Sequence, residues 1–307
     1  METKKVIVTN FTDPLCTWCW GLEPVFRKLE THFPDKIEFR YVMGGLVENI
    51  EEKWDPANGI GHADITRINR QIEAHWKDAS RRHGMPVKGT GFTLFSREYP
   101  STYPQNIAYK AAQMVDGKKA DRFLRRMREA SAAEYLMTSH PDVLDRLAME
   151  AGLDINQFHR HLQDGSAEKA FKEDLKITMA FGVTGFPTSL VSYGDRQILL
   201  RGYNDYDTFV KVIGMASDGK VTPVANPSFD DEAMLEFIKN HGRLALVELN
   251  EAFDFPDMKS ADAWVQKMKH KGKVKINPVG ESYFIEPVTV HEITGSNYCN
   301  TATGRCL

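Results

Sequence analysis

Cys16 and Cys19, with two residues between them, form the pair in this chain best suited to covalent chemistry. A thiolate is the nucleophile of thiol–disulfide exchange, and cysteines three apart on a helix share one face and can close a disulfide. Because free amide N–H groups at a helix start stabilise negative charge, we expect Cys16 to be exposed and activated there. We expect Cys19 to resolve the mixed disulfide that Cys16 forms.

The elements around the pair must place it between a strand and a helix. Apolar and alternating runs predict strands at 5–11, 36–42, 188–193 and 197–201, and helices at 21–32 and 205–215. Between the second and third strands, from 63 to 181, the pattern is almost wholly helical. A dithiol at a strand-to-helix junction predicts an α/β, thioredoxin-like fold. Its order here is β-α-β, a multi-helix insertion, then β-β-α.

Three segments of the chain resemble one family. They are 11–21 (FTDPLCTWCWG), 99–104 (YPSTYP) and 183–188 (VTGFPT), and together they are similar to the DsbA/FrnE-like thiol–disulfide oxidoreductase superfamily. The resemblance covers 1–217 and implies a DsbA-like thioredoxin domain. The helical insertion would occupy about 60–182 of that domain.

The resemblance also implies roles for residues beside the dithiol. Pro187 would form a cis peptide bond next to the cysteines, with an ordinary trans proline at a strand start as the alternative. Trp18, between the two cysteines, would support the pair. An extended substrate would pair with free backbone in the proline loop, so the implied substrate-binding residues are Trp20, Gly185, Phe186 and Thr188.

A second compact pattern follows a linker at 218–229. Three helices and two short strands are predicted within 230–291, and this order resembles a winged-helix domain, a shape that also serves protein contacts. Lysines from Lys259 to Lys275 form a basic strip, but 226–291 holds eight Lys or Arg against eleven Asp or Glu. We therefore expect a solvated face and a protein partner here, and no nucleic-acid site.

A further cysteine pair, Cys299 and Cys306, lies in the polar tail 292–307. It could pass electrons to Cys16 and Cys19, and FrnE-like proteins resemble this chain in carrying a second C-terminal dithiol. The alternative is two exposed thiols without a function, and the sequence favours neither. A zinc site would need the tail to dock on the first pair, and the ten histidines show no ligand spacing. We expect no metal and no cofactor.

The bulk composition is that of an ordinary globular protein. Its 39 basic and 42 acidic residues leave a net charge of −3 over 307 residues, so no global field draws it to nucleic acid or to a membrane. No apolar run approaches the roughly 18 residues of a spanning helix. The first strand follows the N-terminal methionine without an apolar leader, and we therefore expect a cytoplasmic protein.

These observations favour an enzyme, a cytoplasmic thiol–disulfide oxidoreductase or isomerase. Its substrates would be protein or small-molecule thiols and disulfides, glutathione among them. One alternative is a redox-sensitive adaptor of the YjbH type, which presents a regulator to the ClpXP protease with little turnover. A second alternative is an enzyme like the kappa-type glutathione transferases and hydroxychromene-carboxylate isomerases, which usually place serine where Cys16 stands. The presence of both cysteines argues for dithiol chemistry.

Overall fold

A four-stranded mixed sheet forms the centre of the first unit in the computed structural model, which describes residues 4–61, 63–224 and 229–288 and the backbone of 299–300 and 305–306. The strand order is β2-β1-β3-β4, with β1 parallel to β2 and antiparallel to β3. The strands are β1 (Val6–Thr12), β2 (Ile37–Met43), β3 (Thr188–Tyr193) and β4 (Arg196–Arg201). This is the sheet that the sequence predicts.

Apolar side chains on one face of the sheet pack against two helices. Val6, Val8 and Val191 are fully buried there, and they share a core with Leu29 and Phe209. The helices of this region are α1 (Thr17–Gly21), α2 (Glu23–His32) and α9 (Tyr206–Ser217). The strand-to-helix junction that carries the cysteines is therefore held by a closed apolar core.

The predicted helix at 21–32 is α2, which begins two residues later, and a separate short helix that was not predicted, α1, precedes it with Leu22 between them. Pro24 stands in the first turn of α2 and has no N–H with which to continue the hydrogen bonds of α1. Proline at the start of a helix is favoured for the same reason. The cysteines consequently lie on a short helix of their own.

Six α-helices and one π-helical turn interrupt the sheet between β2 and β3. They are α3 (Ile65–His83), α4 (Tyr103–Val115), α5 (Gly117–Glu129), the π-turn Ala130–Glu134, α6 (Pro141–Glu150), α7 (Ile155–Gln163) and α8 (Ser166–Ala180). Helices α4 to α8 surround a second core that includes Tyr109, Phe123 and Phe158. Helix α3 contributes Ile72 and Trp76 to a third core. The predicted multi-helix insertion is confirmed.

The C-terminal unit has three helices and a three-stranded sheet. Its elements are α10 (Asp231–His241), β5 (Leu244–Ala245), α11 (Leu246–Ala252), α12 (Met258–His270), β6 (Val274–Val279) and β7 (Ser282–Pro287). The sheet order is β5-β7-β6, all antiparallel, which agrees with the winged-helix-like arrangement that the sequence predicts. Two further short strands, β8 (Cys299–Asn300) and β9 (Arg305–Cys306), pair in the tail with Cys299 opposite Cys306.

The C-terminal unit packs directly behind the cysteine helix. Trp20 is 2% exposed and its ring lies 6.3 Å from that of Phe284 in β7. Ala245 and Phe284 belong to the same core as Ile72 and Trp76 of the insertion. At the β6–β7 turn Gly280 has a φ of +55°, and a Cβ there would lie 2.2 Å from the Val87 carbonyl oxygen. The two units therefore share one core.

The segment that joins the units is also tied to the first one. The Val224 N–H donates to the His32 carbonyl at 2.8 Å, and the Lys36 ammonium donates to the Thr222 carbonyl at 2.9 Å. These bonds hold the first part of the predicted linker against α2.

We expect Phe284→Ala to destabilise the whole chain, by about 3–5 kcal/mol, because it opens a cavity in the core that both units share. Calorimetry should show one unfolding transition at a lower temperature. Met258→Ala, at a more exposed apolar position of the same unit, is the control and should change the transition little. Two separate transitions, with only one of them shifted, would contradict the shared core.

Candidate active site

The loop after β1 places Cys16 at the N-cap of α1. Its Sγ accepts a hydrogen bond from the Cys19 N–H at 3.1 Å, so the two sulfurs lie on the same side of the first turn. The Cys16 N–H donates to the Asp13 carbonyl at 3.1 Å. The structure thus brings the predicted pair together, with both thiols free.

The predicted exposure of Cys16 is wrong, because the insertion covers the dithiol. Cys16 is only 5% exposed and Cys19 only 2%. Burial raises the pKa of Cys16 well above its ordinary value, and the hydrogen bond and negative charge at Cys19 raise it further. The backbone hydrogen bond from Cys19 opposes this rise without overcoming it. Cys16 therefore holds its proton near neutral pH.

The inner sulfur, Cys19, has the opposite tendency. Burial alone would raise the pKa of Cys19, but the hydrogen bond from Cys16, the Arg128 cation and the Thr12 hydroxyl together lower it. Arg128 is 2% exposed, and its Nη2 donates to Thr12 Oγ1 at 2.7 Å. Negative charge in the reduced pair is thus favoured on the sulfur that faces the interior.

Arg128 is a site residue that the motif search did not find. It lies at the end of α5, in the insertion, and the fold brings it behind the cysteine helix. Arg128 lies four residues after Leu124, on the same helix face, and this spacing is the one signal that could have indicated an interior position. Nothing in the local sequence indicates that it would lie beside Cys19.

Asp13 is a second residue that motif reasoning missed, although it lies within the family-like segment. Its buried carboxylate accepts hydrogen bonds from Leu15 N–H (2.8 Å), Leu46 N–H (2.8 Å), Thr102 hydroxyl (2.8 Å) and Asn106 amide (2.7 Å). Burial raises its pKa, although these hydrogen bonds lower it in part. One carboxylate therefore fastens the dithiol loop to the loop after β2 and to the start of α4.

The proline loop adopts the expected conformation, with a cis Phe186–Pro187 peptide bond. The Phe186 ring lies against Gly44, where an added Cβ would come within 2.0 Å of the ring. Gly185 and Phe186 line a cavity together with Cys16. Thr188 was predicted to bind substrate, but it is buried and its hydroxyl donates to the Gly185 carbonyl at 2.8 Å. Its side chain fixes the loop.

The cavity beside the dithiol is mainly apolar and has a volume of about 320 Å³. Such a volume lies at the low end of the range for small-ligand pockets and is enough for one large apolar side chain. Its polar lining includes Lys53, Asp55, Asn58 and His75, and burial lowers the pKa of His75. Its apolar lining includes Leu15, Trp18, Ile50, Ile60, Ile72, Trp76, Phe95 and Phe186.

The two tryptophans of the motif have different surroundings. Trp18 lies at the surface of the pair, with its ring 5.9 Å from Tyr203 and 5.9 Å from His83. Trp20, predicted to bind substrate, instead points into the interior, where its indole N–H donates to the Pro86 carbonyl at 3.0 Å. The C-terminal unit covers it, so its contribution is to packing.

The tail cysteines, Cys299 and Cys306, have side chains outside the described residues, and their predicted exchange with the first pair stays a prediction. Within 4–61, 63–224 and 229–288 no group of three or more His, Cys, Asp or Glu side chains is arranged to hold a metal ion. In that same part of the chain, no helix is long and apolar enough to cross a membrane.

A thioredoxin family model matches residues 10–211. The chain belongs to the thioredoxin family. Among solved structures, a candidate protein disulfide isomerase from Nitrosomonas europaea matches 71% of this chain and all of its own, with a TM-score of 0.56 and 19% identity. A candidate DsbA oxidoreductase from Streptomyces coelicolor matches 74% of this chain and 94% of its own, with a TM-score of 0.55 and 19% identity. The DsbA-like thioredoxin fold is confirmed.

The match to sequence relatives extends past the thioredoxin region. The ClpXP adapter protein SpxH of Halalkalibacterium halodurans is 26% identical over 282 residues, which cover 91% of this chain and 87% of the relative. This thioredoxin-family chain is therefore similar, over most of its length, to a protein named as a ClpXP adapter.

We expect Cys16 to react slowly with iodoacetamide at pH 7, at a rate that still rises above pH 9, because its buried thiol keeps its proton. Mass spectrometry would locate the modified cysteine. The same chain unfolded in guanidinium is the control, and it should react faster at pH 7, because unfolding exposes the thiol and returns its pKa to the ordinary value. A rate that levels off below pH 8 in the folded protein would contradict this assignment.

Proposed function

We propose that the protein is a cytoplasmic adapter that binds a protein partner and presents it to the ClpXP protease. The observation that carries this proposal is the covering of Cys16, whose side chain is only 5% exposed, so that a disulfide substrate has little access to its sulfur. A thioredoxin fold with such a dithiol is better suited to holding a partner than to rapid exchange. The adapter name of the SpxH relative supports the same function.

The surroundings of the dithiol also support protein binding. Met179 and Phe181 are exposed at the end of α8, directly before the proline loop, and Tyr203 is exposed beside Trp18. Large apolar side chains in contact with water are a feature of protein-binding surfaces. In the C-terminal unit, Lys267 and Lys271 pair with Asp231, which favours a protein over a nucleic acid as its partner.

Replacing both cysteines separates binding from turnover. We expect the Cys16→Ser, Cys19→Ser double variant to restore ClpXP-dependent degradation in cells that lack this protein, because binding does not require the thiols. Pulse-chase mass spectrometry would identify the proteins whose half-lives lengthen both without this chain and without ClpX. Wild-type chain is the matched control. Failure of the double variant, at normal abundance, to shorten those half-lives would overturn the adapter proposal.

A second candidate function is thiol–disulfide exchange, favoured by the intact Cys16–Cys19 pair beside a cis proline. If exchange occurs in cells, we expect Cys19→Ser to accumulate mixed disulfides through Cys16, because the resolving sulfur is absent. Non-reducing electrophoresis with mass spectrometry would detect protein partners and glutathione alike. The double variant is the control. If Cys19→Ser forms no mixed disulfide with a protein or with glutathione, that result counts against this candidate.

A further inference from the structure

A chain of buried ion pairs begins at the inner cysteine. Arg128, whose positive charge lowers the pKa of Cys19, forms an ion pair through Nη1 with Glu23. Both side chains are almost fully buried, at 2% and 4% exposure. Through Nη2 the same guanidinium donates to Thr12 Oγ1 at 2.7 Å, at the end of the strand that leads to the cysteines, so a Cys19 thiolate and the Glu23 carboxylate both attract one interior cation.

Glu23 in turn shares cations with the C-terminal unit. Its Oε2 lies 2.9 Å from Arg27 Nη2 and 3.3 Å from Arg125 Nη1. The same two arginines pair with Glu248, through Arg27 Nε at 3.3 Å and Arg125 Nη2 at 2.7 Å. Glu23 and Glu248 thus compete for Arg27 and Arg125.

Glu248 belongs to α11 and is the point at which the C-terminal unit enters this chain of charges. Its carboxylate is fully buried and also accepts the Ala245 N–H at 2.8 Å. Arg125 additionally lies over the Trp20 ring, 4.6 Å from its centroid, next to Cys19 in sequence. The charges therefore connect α11, α5, α2 and the cysteine helix, and Glu23, Arg27, Arg125 and Arg128 line the wall of one cavity of about 790 Å³.

Buried charges influence one another more strongly than exposed ones, because solvent screens them little. When two carboxylates share cations, loss of negative charge at one end lets the cations shift toward the next carboxylate. A thiolate at Cys19 attracts Arg128 and weakens its ion pair with Glu23. Glu23 then attracts Arg27 and Arg125 more strongly, which weakens their ion pairs with Glu248. Formation of the Cys16–Cys19 disulfide removes the thiolate and reverses these shifts.

We propose that Glu248 is a positioning residue that sets the redox equilibrium of the dithiol through Arg125, Arg27, Glu23 and Arg128, and that the dithiol in turn sets the stability of α11. The redox step is disulfide exchange with oxidised glutathione. The Cys16–Cys19 disulfide forms and the glutathione disulfide breaks. Two electrons and the Cys16 proton leave the cysteines, and the two glutathiones depart as one thiol and one thiolate, which takes its proton from the solvent.

The direct test is Glu248→Gln, which keeps the shape of the side chain and removes its charge. Arg27 and Arg125 then pair more strongly with Glu23, which frees Arg128 to stabilise the Cys19 thiolate. The reduced protein is thereby stabilised relative to the oxidised protein. In glutathione redox buffers we expect the equilibrium constant for oxidation to fall about fivefold, within the range of ordinary coupling between sites. Glu248→Asp keeps the charge and should restore a value close to wild type.

Glu251→Gln is the matched control, since Glu251 lies on the same helix, is half-exposed, and pairs only with Lys28, at 3.8 Å, among the ion pairs of the described residues. It should leave the equilibrium constant unchanged. If Glu248 were merely structural, Glu248→Gln would lower the unfolding temperature and leave the equilibrium constant at the wild-type value. That outcome would overturn the proposal.

A second measurement needs no variant. Amide hydrogen exchange of residues 246–252 in the wild-type chain should be slower after oxidation than after reduction. The disulfide removes the thiolate, so Arg27 and Arg125 pair more strongly with Glu248 and stabilise α11. Equal exchange in the two states would overturn the coupling. These tests do not involve a partner, so the coupling and the proposed adapter function can fail separately.

Discussion

The buried carboxylate of Glu23 is the constraint on which the packing of the cysteine helix, the insertion and the C-terminal unit depends. A buried charge without partners is strongly destabilising, so the chain must bring cations to it from several elements. Arg27 comes from the same helix, and Arg125 and Arg128 come from the insertion. Those arginines in turn need Glu248 from the C-terminal unit. The cysteine helix, the insertion and the C-terminal unit are therefore held together by this need for charge balance as well as by their shared apolar core.

Much of the fold could be predicted because its signals are local. The alternation in β1 and β2, the short spacing between β3 and β4, and the order of helices and strands after 230 are all properties of neighbouring residues. The Cys16–Cys19 pair and Pro187 were equally visible, since each lies in a short segment with its own pattern. Even where a boundary moved, as at Leu22, a nearby residue, Pro24, explains it.

The environment of the site could not be predicted in the same way. Whether Cys16 is exposed depends on how the loops after β2 and the helices of the insertion close over it, and whether Trp20 faces a substrate depends on Phe284. The position of Arg128 beside Cys19 depends on packing between segments that are far apart in sequence. A motif identifies the reactive atoms; the charges and the burial that govern them come from long-range contacts.

The contact between Trp20 and Phe284 also orders events during synthesis of the chain. The strand and helices that carry the cysteines leave the ribosome long before β7 does, and domains generally fold as they emerge. Here the apolar surface around Trp20 stays open until the C-terminal sheet has been made, and exposed apolar surface of that kind is prone to aggregation. The first unit is thus completed late in synthesis, because β7, made long after the cysteines, closes the interior behind them.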